Sequence, residues 1–144
     1  MISMERRILS ADLLKLMSMF ENITRVSAKD CFENDATGQL VFIVPEGQLG
    51  RALGKGAQNI KKLSTRLNKK VRVLEYKPDV KSFIKSLLLP LTVGDITEVT
   101  EGVYQIEPQD TQSRGLIIGR SGANLRNLEK MVRRFFNAEE IKVA

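Results

Sequence analysis

The sequence predicts a mixed α/β protein of the α+β class, built from two similar halves that follow each other along the chain. A glycine motif occurs twice, in residues 53–60 and 118–125. The apolar pattern around each copy gives the same order of helices and strands. The length of 144 residues suits two small domains. We therefore expect domains at residues 1–77 and 78–144.

In the first half, apolar residues that recur every three or four positions predict a helix at residues 3–24, although Ser10 or Asp12 could cap a helix that begins later. Strand-like runs follow at residues 26–33 and 39–44, separated by turn-forming residues. The second run is almost continuously apolar, which is typical of a central strand. The remaining expected elements are a short helix at 48–53, a helix at 58–67 and a strand at 71–76.

The second half repeats this order. Pro78 and Asp79 suit the start of a helix, and Glu101 with Gly102 suits a turn between two strands. The expected elements are a helix that carries Val80, Phe83, Ile84, Leu87 and Leu88, strands at 95–100 and 103–107, a short helix at 111–118, a longer helix after the second glycine motif and a strand at 141–143.

Positive charge is concentrated around both glycine motifs. The formal net charge is +6 and the pI is near 9.6. Residues 51–77 contain nine Lys or Arg and one acid, and residues 111–136 contain six Lys or Arg and one acid. Such clusters indicate an acidic partner such as nucleic acid. The alternative is that these side chains only solvate helix faces.

The composition argues against several other classes of protein. With one cysteine, Cys31, and no histidine, neither a disulfide nor a structural zinc site is expected. No export signal is evident, and the longest apolar run contains Pro90 and is too short to cross a bilayer. We expect a cytoplasmic protein with no metal, cofactor, membrane or small-molecule partner.

We also expect that the protein is not an enzyme. The sequence offers no histidine, no cysteine pair and no paired acids beside a glycine loop. Residues 50–56 superficially resemble a P-loop, but one residue is missing between the glycines and no Ser or Thr follows Lys55.

Each glycine motif has the features of a phosphate-binding turn. An apolar residue, a glycine and a cation lead into a turn of small residues, an asparagine and an amphipathic helix. A glycine lets an anionic backbone come close because it has no Cβ, and the first N–H groups of the helix point outward.

With these two motifs and this order of elements, the chain resembles a tandem of KH domains, whose GxxG loop clamps single-stranded nucleic acid. The helix and strand before each core resemble the type II KH arrangement. That resemblance implies a three-stranded mixed sheet covered by helices in each domain. Two such units with almost no linker and no further domain are similar to the short archaeal NusA-like proteins.

The resemblance assigns RNA binding to the two loops. Residues 119–122 match GxxG fully, whereas residues 54–57 end in Ala57, which is tolerated if that residue has helical φ and ψ. We expect Lys55 and Arg120 to meet phosphates and the second loop to be the firmer clamp. The expected RNA contacts are Arg51, Gly54, Lys55, Gly56, Ala57, Asn59, Lys61, Lys62, Arg114, Gly119, Arg120, Ser121, Gly122, Asn124 and Arg126.

Two sets of residues near the loops have open roles. Asn59 and Asn124 recur at the same place in both motifs, where they could cap the turn or contact a sugar or base. Four apolar residues flank the turns and belong either to the core or to a groove floor for bases: Leu53, Ile60, Ile118 and Leu125.

The resemblance implies a single-stranded RNA-binding transcription factor that modulates elongation, pausing or termination, with the nascent transcript and RNA polymerase as partners. Both units would bind one RNA strand along a continuous basic groove, each holding about four nucleotides. The alternative is a KH protein of ribosome assembly or RNA decay.

Overall fold

The structure is a computed structural model that describes residues 10–144. The chain divides into two compact units, Met1–Tyr76 (unit 1) and Lys77–Ala144 (unit 2). The predicted start of the first helix, at residues 3–9, lies outside the described residues. No helix among residues 10–144 combines the length and the apolar character needed to cross a membrane.

Unit 1 has the predicted order of helix, strand, strand, helix, glycine turn, helix and strand. Its elements are α1 (Ser10–Thr24), β1 (Asp30–Glu33), β2 (Leu40–Val44), α2 (Leu49–Leu53), the glycine turn (Lys55–Ala57), α3 (Gln58–Leu67) and β3 (Val71–Glu75). β2 lies in the centre of a three-stranded sheet, antiparallel to β1 and parallel to β3. Phe42 of β2 pairs with Cys31 on one side and Val73 on the other.

Unit 2 repeats the same topology. Its elements are α4 (Val80–Leu88), β4 (Val93–Thr100), β5 (Val103–Pro108), α5 (Thr111–Ile118), the second glycine turn (Arg120–Gly122), α6 (Ala123–Arg133) and β6 (Glu140–Val143). The central strand β5 is antiparallel to β4 and parallel to β6. The prediction of two units, each with a three-stranded mixed sheet and covering helices, is confirmed.

The core of unit 1 forms between the sheet and its helices. Every residue of β2 is buried, as its continuous apolar sequence predicts. The ring of Phe20 in α1 stacks on Phe42 with centroids 4.3 Å apart. Ala52 of α2 and Leu63 of α3 belong to the same cluster and are fully buried. This packing holds both helices beside the first glycine turn against the sheet.

The core of unit 2 is built in the same way around aromatic residues. Phe83 of α4 contacts Phe135 and Phe136, with ring centroids 5.4 and 5.6 Å away. Ile117 of α5 and Val132 of α6 are buried as well. The two helices beside the second glycine turn are therefore also anchored by apolar packing.

The first strand is shorter than predicted, since β1 begins at Asp30 and the prediction began at residue 26. Arg25 has a φ of +62°, which turns the chain sharply after α1. The Thr24 hydroxyl donates to the Phe20 carbonyl oxygen at 2.8 Å and accepts from the Val26 N–H at 3.1 Å. Val26 is buried there in irregular structure, so its apolar character does not indicate a strand.

Candidate nucleic-acid interface

Each glycine turn connects a short helix to a long one through the same two hydrogen bonds. The Gly54 N–H donates to the Gly50 carbonyl oxygen at 3.0 Å, which ends α2, and the Ala57 N–H donates to the Gly54 carbonyl oxygen at 3.1 Å. The second loop repeats these bonds at Gly119 and Gly122, with distances of 2.8 and 3.2 Å. The two copies of the motif therefore form the same local structure.

The first residue of each loop must be glycine for two reasons. Gly54 and Gly119 both have a φ of +74°, a region that L residues rarely adopt. A Cβ at Gly54 would lie 2.7 Å from Nδ2 of Asn59, and one at Gly119 would lie 2.6 Å from the same atom of Asn124. Both the backbone angle and the lack of space exclude a side chain.

The third and fourth residues of both loops are left-handed, and Ala57 is one of them. Its φ and ψ are +59° and +29°, so the helical conformation that was the condition for tolerating alanine is not met. Gly56 (φ +62°) and Ser121 (φ +54°) occupy the third position, and Gly122 (φ +76°) the fourth. Each loop thus holds one L residue in left-handed conformation, at a cost of about 1–2 kcal/mol.

The two asparagines act as caps, which is one of the roles that the sequence left open. Nδ2 of Asn59 donates to the carbonyl oxygens of Arg51 at 3.3 Å and Ala52 at 3.2 Å. Nδ2 of Asn124 donates to the carbonyl oxygen of Leu116 at 3.0 Å. Each asparagine therefore ties the last turn of the short helix to the start of the long helix and fixes the loop between them.

The long helices begin without a side-chain cap. No side chain among the described residues accepts a hydrogen bond as N-cap at α3 or α6, where the N-caps are Ala57 and Gly122. By contrast, Asp79 caps α4 and Asp110 caps α5. The N–H groups of Gln58 and Ala123, which open α3 and α6, donate to the carbonyl oxygens of Lys55 and Arg120. The helix dipole favours an anion beside each of these uncapped ends.

Exposed cations surround both loops. In unit 1, Lys55 lies on the turn, Arg51 on the short helix, and Lys61 and Lys62 on the long helix. The cations of unit 2 are Arg120 on the turn and Arg126 on the long helix, both exposed. Arg126 folds back over the loop, since a Cβ at Gly122 would lie 2.9 Å from its Nη1 atom.

Some cations of the basic blocks bind other parts of their own unit. Arg114, one of the expected RNA contacts, donates from Nε to the main-chain oxygen of Ala144 at 3.0 Å. Arg133 donates to the carbonyl oxygens of Ala138, at 2.9 Å, and Glu139. Lys69 forms an ion pair with Glu33. These bonds are made within the fold. The number of charges along the sequence does not show which cations make such bonds and which are available to a ligand.

The apolar residues beside the turns lie at the edge of the core. The four residues with an open role are all half-buried: Leu53, Ile60, Ile118 and Leu125. Sequence reasoning overlooked Leu116, which is 52% exposed on the last turn of α5. Alignment of the two motifs identifies it, because Leu116 occupies the position of Arg51.

The groups that the two loops present suit the binding of an anion. Within residues 10–144, no group of three or more His, Cys, Asp or Glu side chains could hold a metal ion. The loops consist of main-chain groups, cations and one hydroxyl, that of Ser121. This set of groups suits the recognition of an anionic polymer.

Comparison with known proteins gives consistent matches. A family described as KH domain matches residues 16–103. The probable transcription termination protein NusA of Methanocaldococcus jannaschii is 32% identical over 139 residues, which cover 95% of this chain and 74% of that protein. The protein of the same name from Halobacterium salinarum is 27% identical, with 94% and 96% covered.

A solved structure agrees with these sequence matches. The crystal structure of APE1850 has a TM-score of 0.77 and 28% sequence identity, and the match covers 94% of this chain and 100% of that chain. The KH match spans more than half of the sequence, and the Methanocaldococcus relative aligns along nearly all of it. The chain therefore belongs to the KH-domain family and, within that family, to the NusA-like proteins.

Proposed function

We propose that the protein is a single-stranded RNA-binding transcription factor that modulates elongation, pausing or termination. Its relatives are named probable transcription termination proteins, and KH domains bind single-stranded nucleic acid through their glycine loops. One observation carries the proposal: both loops have the same backbone and lead into a helix with no side-chain cap, amid exposed cations.

The RNA backbone binds at the two loops. A phosphate approaches the exposed main chain at Gly56 and Ser121, and the positive ends of the α3 and α6 dipoles favour its charge. Lys55 and Arg120 meet neighbouring phosphates from the turn, and the exposed cations on the helices extend this contact. These contacts position a strand without reading its sequence.

The bases bind along the half-buried apolar residues that flank each loop. Leu53 and Ile60 in unit 1, like Ile118 and Leu125 in unit 2, combine partial exposure with support from packed helices. Each unit holds about four nucleotides, the usual KH span.

The role of the protein is binding and not catalysis. The loops contain neither a paired acid and base nor an activated nucleophile of the common types. Its partners are the nascent transcript and RNA polymerase in the cytoplasm. By holding emerging RNA near the enzyme, the protein changes how long the polymerase pauses and whether it terminates.

Charge reversal at the centre of each loop tests RNA binding. The variants are Lys55→Asp/Gly56→Asp and Arg120→Asp/Ser121→Asp. A Cβ at Gly56 meets nothing within 4 Å, so the loop has room for these side chains. We expect each variant to bind a single-stranded RNA of about ten nucleotides at least roughly tenfold more weakly, and the wild type to lose affinity steeply with salt.

A matched control separates the loops from overall charge. Lys15→Glu/Ser18→Glu places the same change in net charge on exposed positions of α1 and should leave affinity within about twofold of wild type. Fluorescence anisotropy across a salt series measures all the affinities. RNA affinity that is independent of salt, or equal losses in control and loop variants, would reject the loops as the binding site.

A further inference from the structure

The last turn of the short helix carries different side chains in the two units. Arg51 and Leu116 occupy equivalent places, since the carbonyl oxygen of each accepts a hydrogen bond from the loop asparagine. Both side chains are exposed, and Leu116 is 52% exposed despite being apolar. A cation beside the first loop is thus replaced by a leucine beside the second.

On the long helix, too, unit 1 has a cation where unit 2 has a neutral residue. Lys62 of α3 corresponds to Asn127 of α6, whereas Lys61 is matched by another cation, Arg126. The exposed cations are Arg51, Lys55, Lys61 and Lys62 around the first loop, and Arg120 and Arg126 around the second, where the exposed Arg114 donates to the main chain of Ala144. Because the loop backbones agree, the units differ mainly in the side chains that they offer to a ligand.

We propose that the two units hold RNA by different forces. Unit 1 binds chiefly through phosphate charge, while unit 2 combines a smaller phosphate contact with an apolar contact between Leu116 and a base of the strand held at residues 119–122. This inference rests on the proposed RNA-binding function and adds a division of roles within it.

Salt distinguishes the two kinds of contact. Each phosphate neutralised on a single strand contributes about −0.7 to the slope of log K against log salt. Four cations around the first loop therefore account for a slope of about −2.8, and two around the second for about −1.4. An apolar contact adds affinity without adding to this slope.

Alanine substitutions in the full chain test the division. Arg51→Ala should make the slope shallower by about 0.7 for a single-stranded RNA of about ten nucleotides. Leu116→Ala should weaken binding roughly three- to tenfold at every salt concentration and leave the slope unchanged. Leu116→Arg should make the slope steeper by about 0.7.

Conservative variants are the controls, because they keep the charge or the apolar character of the side chain. Arg51→Lys should keep the wild-type slope, and Leu116→Met should keep the wild-type affinity. The inference is overturned when RNA binds and depends on both loops, yet Leu116→Ala leaves affinity unchanged or alters the slope as Arg51→Ala does. Failure of the proposed function looks different, because wild type then binds no RNA or the loop variants bind as tightly as wild type.

Discussion

At the scale of single residues, the two loops share the same backbone angles although their glycines do not all lie at the same positions. The sequence identified the loops, and helical angles at Ala57 were the condition for tolerating alanine there. The structure gives left-handed angles at Ala57 and at Ser121, one such residue in each loop. Sequence cannot reveal this, because a single L residue in the left-handed region costs little enough for packing to impose it.

Glycine at either left-handed residue should stabilise the protein. We expect Ala57→Gly and Ser121→Gly each to raise the free energy of unfolding by about 1 kcal/mol, because relief of backbone strain exceeds the added entropy of the unfolded chain. Chemical denaturation measures the change.

Ala123 provides the matched control for Ala57→Gly. Its φ and ψ of −61° and −42° are right-handed helical, so Ala123→Gly should lower stability by about 1 kcal/mol. The same sign of change at both alanines would contradict the left-handed assignment.

At the scale of elements, strong periodicity was enough to place the helices beside the loops. The predicted bounds of 58–67 and 111–118 agree with α3 and α5. The central strand β2 was equally clear from its apolar run. The predicted β1 was too long because Val26 is buried outside a strand. An apolar residue indicates burial, but it does not indicate that its main chain is hydrogen-bonded to a neighbouring strand.

The cap between short and long helix should matter more in unit 1. Asn59 is 8% exposed and bonds to two carbonyl oxygens, whereas Asn124 is exposed and bonds to one. We expect Asn59→Ala to lower the free energy of unfolding by about 2 kcal/mol and Asn124→Ala by about 1 kcal/mol.

Thermal or chemical denaturation of both variants provides this comparison. Asn22→Ala, at an exposed position of α1, is the control and should change stability by no more than about 0.5 kcal/mol. Equal losses at the two loops would show that burial does not set the strength of the cap.

At the scale of the whole molecule, the sequence was sufficient for the repeated topology and for the concentration of positive charge around both loops. It was not sufficient to tell which cations are available to a ligand and which make contacts within the fold. Arg114 reaches Ala144 and Lys69 reaches Glu33, contacts between residues far apart in the chain that only the folded structure brings together. Long, flexible cationic side chains make such contacts hard to predict.

The proposed association with RNA polymerase also belongs to the whole molecule. Affinity purification of the tagged full chain from its own cells should retain RNA polymerase subunits. A variant with both loops reversed, Lys55→Asp/Gly56→Asp/Arg120→Asp/Ser121→Asp, separates direct contact from association through RNA. Enrichment of ribosomal particles or of RNA-degrading complexes in place of polymerase would favour the alternative role in ribosome assembly or RNA decay.

The contact between the first loop glycine and the asparagine five positions later has a consequence for recognising such loops in other sequences. In both copies the loop needs a glycine without a Cβ, at Gly54 or Gly119, and an asparagine whose amide group bonds to the short helix, at Asn59 or Asn124. The fourth residue varies between alanine and glycine without changing the backbone path. A search for the glycine and asparagine pair would therefore find degenerate loops that a strict GxxG pattern rejects.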